Sequence, residues 1–323
     1  MTIAAPHTAP HQRIHPGSCL SLGDLTYEEQ AALVTRARAL ADGAAVEKLL
    51  KAKTVGILFT ATSTRTRTAF TAASIRLGSF PITYGPADLQ TCTGESMADT
   101  GRVFGSMLDM LVARTAGSHT DLVTIAESSG IPVINAMTAE EHPTQAIGDL
   151  AIIEQHVGLA GVRLLYVGEG NNTAVALAYA LAVVADAQVT FATPSGFGLP
   201  LGCLDLADGR AAASGSRARL HEVHTLTDLP EAVDIVYTTR WQTTGTSKPD
   251  PDWRQSFLPF RVDHALLDRW PAARFMHDLP AHRGEEVTGG VLDGPRSLAW
   301  EQARMKLYGA MAVLERAGTM HRL

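Results

Sequence analysis

The sequence predicts an α/β protein of two doubly wound parallel-sheet domains linked by helices, with the active site in the cleft between them. Three observations carry this. Short apolar runs alternate with helical patterns along most of the chain, the signature of parallel strands covered on both faces. The chain has 323 residues, beyond the size at which one hydrophobic core stops growing. Each cluster of chemistry-bearing residues falls just after an expected strand, where open parallel sheets bind ligands.

In chain order, residues 1–18 read as a flexible tail without the apolar stretch of a signal peptide. Thr26-Tyr27-Glu28-Glu29 has capping-box form and opens a helix through Leu40. Thr54–Phe59 reads as a strand, Ala69–Leu77 as a helix and Pro81–Tyr84 as a short strand. Asp88 to Gly94 is a polar loop. Helix over Glu95–Met107, strand over Met110–Ala113, helix over Thr120–Ser129 and strand over Pro132–Asn135 complete a first domain at 19–150. Pro143 suits the first turn of a linking helix that runs to His156. The alternation then restarts over 151–299. Strands are expected at Arg163–Val167, Gln188–Ala192, Asp234–Tyr237 and Arg274–Met276. Helices are expected at Thr173–Val184 and Ala207–Ser216. Thr238 to Phe260 reads as a long loop, a length that is usually functional or mobile. A last helix, assigned 300–317, completes the first domain.

With 27 basic and 33 acidic residues the formal charge is −6. That balance, without a basic run, argues against a nucleic-acid partner. Cys19, Cys92 and Cys203 are scattered and odd in number, which points to a reducing, cytoplasmic home. The longest apolar run, Thr173 to Ala187, is too short to span a bilayer, so no membrane partner is expected.

Ser63-Thr64-Arg65-Thr66-Arg67 sits between a strand and a helix. Helix N-termini carry unpaired N–H groups and partial positive charge, so added guanidiniums and hydroxyls suit a phosphate. An ordinary N-cap with surface arginines is the alternative. His142 and Gln145 are three apart and share a helix face. Either can polarise a carbonyl oxygen, or they are a capping histidine and an exposed amide. Gly168-Glu169-Gly170 is a partial dinucleotide fingerprint with Thr173 where the next glycine belongs, which speaks against a nicotinamide cofactor. No ligand-spaced histidines or cysteines are present, so neither a metal nor any other cofactor is expected.

In order and spacing these residues resemble the aspartate/ornithine carbamoyltransferase family, with the ornithine branch the nearer. The likeness rests on Ser63–Arg67, the segment Glu95 to Val103, His142-Pro143-Thr144-Gln145, Gly168–Asn172, and Leu279 to Val287. It implies carbamoyl phosphate and an amine as substrates and a homotrimer as the assembly. It implies that Ser63, Thr64, Arg65 and Thr66 hold the phosphate, with Gln90 reaching over from a neighbouring subunit. Arg114, His142 and Gln145 would hold and polarise the carbamoyl group, and Leu279 and Lys306 fall on further donor-site positions. The mechanism implied is direct attack by a neutral amine, a tetrahedral intermediate and loss of phosphate.

The acceptor half departs from the pattern. Where the ornithine branch has D-x-W-x-S-M-G, this chain has Thr239-Arg240-Trp241-Gln242-Thr243-Thr244-Gly245. Its H-C-L-P is His277-Asp278-Leu279-Pro280, and its late arginine is Lys306, which keeps charge but loses the fork. Asn172, Thr239, Arg240, Thr243, Thr244 and Asp278 are therefore the acceptor candidates, with Asp278 also catalytic. Arg240 can grip an acceptor carboxylate. Asp278 can pair with an acceptor cation or take its proton, or only salt-bridge Arg240 or Arg283. The expectation is an amino-acid-like acceptor other than plain ornithine, in specialised biosynthesis. Ornithine itself, and a non-catalytic paralogue that binds carbamoyl phosphate, are the alternatives.

Overall fold

Two separate parallel sheets organise the chain. The computed structural model describes residues 14–115, 117–243 and 246–320. Among the described residues one unit holds 14–148 together with 305–320, and the other holds 149–304.

In the first unit, β1 (Thr54–Phe59), β2 (Phe80–Tyr84), β3 (Met110–Arg114) and β4 (Val133–Met137) form a parallel sheet in the order β2-β1-β3-β4. The chain therefore moves outward from β1 to β2, then returns to the other side of β1, which makes a topological switch point between β1 and β3. Strands β3 and β4 are wholly buried and β1 nearly so, whereas β2 at one edge is not. Around the sheet lie α1 (Tyr27–Ala41), α2 (Arg65–Arg76), α3 (Met97–Met107) and α4 (His119–Ser129). Thr26 and Glu29 close the expected capping box on α1. Helices α3 and α4 touch through glycine: a Cβ on Gly105 would lie 2.0 Å from the carbonyl oxygen of Ser129.

Of the tail expected over 1–18, residues 1–13 lie outside the described residues. Ser18 is structured, its Oγ accepting from the Val133 N–H at 3.0 Å. Helix α2 begins four residues earlier than its apolar periodicity suggests, so Arg65 and Arg67 stand inside its first turn. The loop around Gln90 holds a short 3-10 turn, Gln90–Thr93.

The chain leaves this unit within α5 (Pro143–His156) and returns within α11 (Ala299–Met320). Gly309 and Gly148 let the two helices approach, with a Cβ on Gly309 only 3.6 Å from the Gly148 nitrogen. This close contact sets Lys306 over Gln145.

In the second unit, β5 (Arg163–Val167), β6 (Gln188–Ala192), β7 (Arg219–Val223), β8 (Ile235–Thr238) and β9 (Arg274–His277) are parallel in the order β7-β6-β5-β8-β9. Its switch point is between β5 and β8. Two longer helices, α6 (Asn172–Ala182) and α7 (Cys203–Ser214), are joined by short ones, α8 (Arg254–Phe257), α9 (His264–Leu267) and α10 (Gly289–Leu292). A buried network ties β8 and β9 to the helices. Asp149 accepts from Tyr237 Oη at 2.9 Å and Gln302 Nε2 at 2.7 Å, while Gln302 Oε1 accepts from the His277 N–H at 2.9 Å.

The stretch from 238 to 260, expected to be one long loop, contains α8 and a 3-10 turn at Leu258–Phe260. It is folded down by Trp241, Trp253 and Phe257, all buried, with Phe197 packed against them. The Lys248 ammonium sits among these rings, 5.1 Å from the centroids of Phe197 and Trp253 and 5.4 Å from that of Phe257. It is ion-paired with Glu169 in the turn after β5. Among the described residues no helix is long and apolar enough to cross a membrane.

Candidate active site

At the switch point of the first unit, β1 leads into the Ser63–Arg67 turn and β3 ends on Arg114. The Arg114 guanidinium donates to Thr66 Oγ1 at 3.2 Å, both residues being buried. Thr64 stands at the N-cap of α2 but its hydroxyl makes no capping bond, which speaks against the alternative of an ordinary capped terminus. The Arg67 guanidinium lies over the Phe59 ring at 5.3 Å. Thr66, Ala69 and Phe70 of α2, His142, Thr144 and Gln145 at the start of α5, and Lys306 of α11 line a small pocket.

Electrostatics give the pocket its character. His142 is buried, and its Nδ1 has no hydrogen-bond partner among the described residues. Burial, followed by the charges of Lys306, Arg114 and Arg65, holds its pKa well below the usual histidine value. The imidazole is thus neutral at pH 7 and keeps one N–H to donate. The charges that bear on it are all positive, as a site for an anion requires. Lys306 donates to Gln145 Oε1, which fixes the otherwise ambiguous orientation of that amide. Glu141, the residue before His142, is buried and accepts from Ser21 Oγ at 2.5 Å and the Leu22 N–H at 2.8 Å. The segment before α1 therefore anchors the approach to His142, a role that carried no sequence signal.

Gln90 is exposed, and its Oε1 accepts from Thr93 Oγ1 at 3.0 Å within its own loop. That places it with its own turn and not in the pocket of this chain.

On the second unit, three neighbouring strands end on acceptor candidates. Asn171 caps α6 after β5, its side chain accepting from the Thr173 and Ala174 N–H groups, which seats Asn172 and Thr173 in the first turn. Thr239 follows β8 and Asp278 follows β9. Thr239 Oγ1 donates to Asp278 Oδ1 at 2.8 Å and Thr173 Oγ1 to Oδ2 at 3.0 Å. Asp278 does not salt-bridge Arg240 or Arg283, contrary to one expectation: Arg283 pairs with Asp293 at 2.8 Å. Arg240 Nε has no partner among the described residues. Thr243 Oγ1 donates to Glu169 Oε2 at 3.4 Å, and Thr244 and Gly245 lie outside the described residues. Leu279 turns the chain in the left-handed region at φ 54°, with its N–H on His277 Nδ1 at 2.8 Å. Thr173 and Lys248 were missed in the sequence. Thr173 stood out only as the missing glycine of a fingerprint, and the partner of Lys248 lies 79 residues away.

Comparison with known proteins supplies the family. Residues 18–155 match the carbamoyl-phosphate-binding domain of the aspartate/ornithine carbamoyltransferases, and residues 160–317 match their Asp/Orn binding domain. The chain is 40% identical over 300 residues to the ornithine carbamoyltransferase of Gloeobacter violaceus, covering 91% of this chain and 93% of the relative. It is 36% identical over 274 residues to that of Methanothermobacter thermautotrophicus, covering 84% and 90%. The solved ornithine carbamoyltransferase of Pyrococcus furiosus superposes with a TM-score of 0.85 at 36% identity, over 92% of this chain and 95% of that one. The chain belongs to the aspartate/ornithine carbamoyltransferase family and is a carbamoyltransferase.

Proposed function

We propose that the protein moves the carbamoyl group of carbamoyl phosphate to the side-chain amine of ornithine, giving citrulline and phosphate. The observation that carries the donor half is the convergence of Lys306, Arg114 and Arg65 on a buried, neutral His142. A phosphate needs the cations, and a polarised carbonyl needs a neutral donor that remains an N–H at pH 7. Ser63, Thr64, Arg65 and Thr66 hold the phosphate. Arg114 and His142 donate to the carbamoyl oxygen, where negative charge grows as the amine attacks, and Gln145, held by Lys306, orients the group. No covalent nucleophile is required, so rate comes from orientation and charge stabilisation.

The names of the relatives support ornithine over a modified acceptor. Asn172, Thr239, Arg240 and Thr243 are assigned to the acceptor's amino-acid head. A second reading, an ornithine-like amine of specialised biosynthesis, is favoured by one observation: the segment after β8 offers Thr239 and Arg240 where the ornithine branch has a carboxylate. Assembly as a homotrimer in the cytoplasm belongs to the same proposal. The test is purified protein with carbamoyl phosphate and a panel of amines, with ureido products identified by mass. Citrulline as the dominant product supports the proposal. Turnover of another diamino acid with ornithine inert selects the second reading.

A further inference from the structure

We propose that Asp278 receives the attacking nitrogen of the acceptor and takes its proton as the new N–C bond forms. This rests on amine attack at the carbamoyl carbon and not on ornithine being the amine.

The carboxylate stands beside the switch point of its sheet, where Thr173, Thr239 and Asp278 follow the adjacent strands β5, β8 and β9. Two neutral hydroxyls hold it, one on each oxygen. A carboxylate can accept about four hydrogen bonds, so each oxygen keeps a free lone pair. Its side chain is only 13% exposed, and no lysine or arginine pairs with it among the described residues. The nearest basic nitrogen, His277 Nδ1, is 3.5 Å from Oδ1. That nitrogen accepts the Leu279 N–H, so the ring proton lies on Nε2, facing Glu286 Oε1 at 3.1 Å. His277 therefore brings Asp278 neither charge nor proton.

The other titratable groups nearby add no compensation. Tyr166 of β5 and Tyr237 of β8 are buried phenols whose ionisation is pushed up by burial and further by the Asp278 charge. Glu169 after β5 is engaged by Lys248. A nearly buried carboxylate without a cation is costly. One that keeps a lone pair on each oxygen suits a ligand that arrives as an ammonium.

The step balances as follows. Asp278 takes one proton from the ammonium, and the lone pair so freed forms the bond to the carbamoyl carbon. The electron pair of the C–O bond leaves with phosphate. The second proton on nitrogen passes to the departing phosphate, and Asp278 releases its own proton to water before the next turnover.

The experiment compares wild type with Asp278→Asn and Asp278→Ala in steady-state assays. Asparagine is the same shape, and its amide satisfies both threonine hydroxyls, so a merely structural role survives the change. The expected result for Asp278→Asn is a fall in kcat of about 100-fold or more, with KM for carbamoyl phosphate within about 2-fold of wild type. The loss is smaller with an aminooxy analogue of the acceptor, which arrives unprotonated. Formate partly restores Asp278→Ala. A kcat near wild type in Asp278→Asn overturns the proposal, as does an equal loss for the aminooxy analogue without formate rescue. If ornithine is inert but another amine turns over, only the acceptor assignment falls, and the same variants on that amine decide the role of Asp278. No product with any amine overturns both.

Discussion

His142 offers a test of the donor site that needs no substrate. In the folded protein burial, Lys306, Arg114 and Arg65 keep the imidazole neutral. In the unfolded chain it titrates near 6.5. Below that pH the unfolded state binds a proton that the folded state refuses, so stability falls as pH falls. Above about pH 7.5 both states are neutral and the effect vanishes. Well below 6.5 the slope approaches about 1.4 kcal/mol per pH unit. Between about pH 6.5 and 5.5 the loss from this one group is about 1 kcal/mol. The perturbation is His142→Asn, which cannot titrate. The assay is urea unfolding of both proteins at about pH 7.5, 6.5 and 5.5, taking their difference so that all other groups cancel. The stability of wild type relative to the variant should drop by about 1 kcal/mol over that last interval. Parallel curves would refute the reasoning, since they require His142 to titrate alike in both states and the three cations not to act on it.

Other expectations follow from the same structure. Arg65→Ala should weaken carbamoyl phosphate binding by about 1.5–3 kcal/mol with melting temperature nearly unchanged, and calorimetric titration that finds wild-type affinity would show the phosphate misplaced. Gly105→Ala drives a Cβ into the Ser129 carbonyl at 2.0 Å, so chemical denaturation should register a loss of about 1–3 kcal/mol; an unchanged midpoint would mean α3 and α4 are not in contact there. Lys248→Met leaves Glu169 without its cation and should cost roughly 3 kcal/mol, read as a lowered melting temperature that Glu169→Gln in the same chain partly restores.

Much of this architecture was legible because burial and periodicity coincide. Strands β1, β5 and β6 are short, largely apolar runs, and their limits agree with the sequence expectation. The edge strand Arg219–Val223 was missed because its residues are polar and half-exposed and leave no apolar run. Helices α9 and α10 are four residues each, too short to show a helical period. Helix α2 starts earlier than its apolar period because its first turn is arginine and threonine, which carry no apolar signal. In the site, Ser63–Arg67 and His142–Gln145 are contiguous and carry their own signature. The Thr173–Asp278–Thr239 cluster spans 105 residues, and the sheet order that assembles it is invisible to local pattern. For the same reason the free choice between salt bridge and ligand site at Asp278 could be narrowed only by the positions of Arg283 and His277.

The aromatic cluster around Lys248 has an optical consequence. All four tryptophans, Trp241, Trp253, Trp270 and Trp300, belong to the unit of residues 149–304. Trp241 and Trp253 sit in the cage while Trp300 is exposed. Tryptophan emission, excited beyond the tyrosine band, is therefore a private reporter of the acceptor-side unit. Melting of the unit that carries Arg65 and His142, whose aromatic emitters are Tyr27, Tyr84 and Tyr308, adds no tryptophan signal of its own. An emission change on adding carbamoyl phosphate alone would be a message received by the other unit, readable without a label.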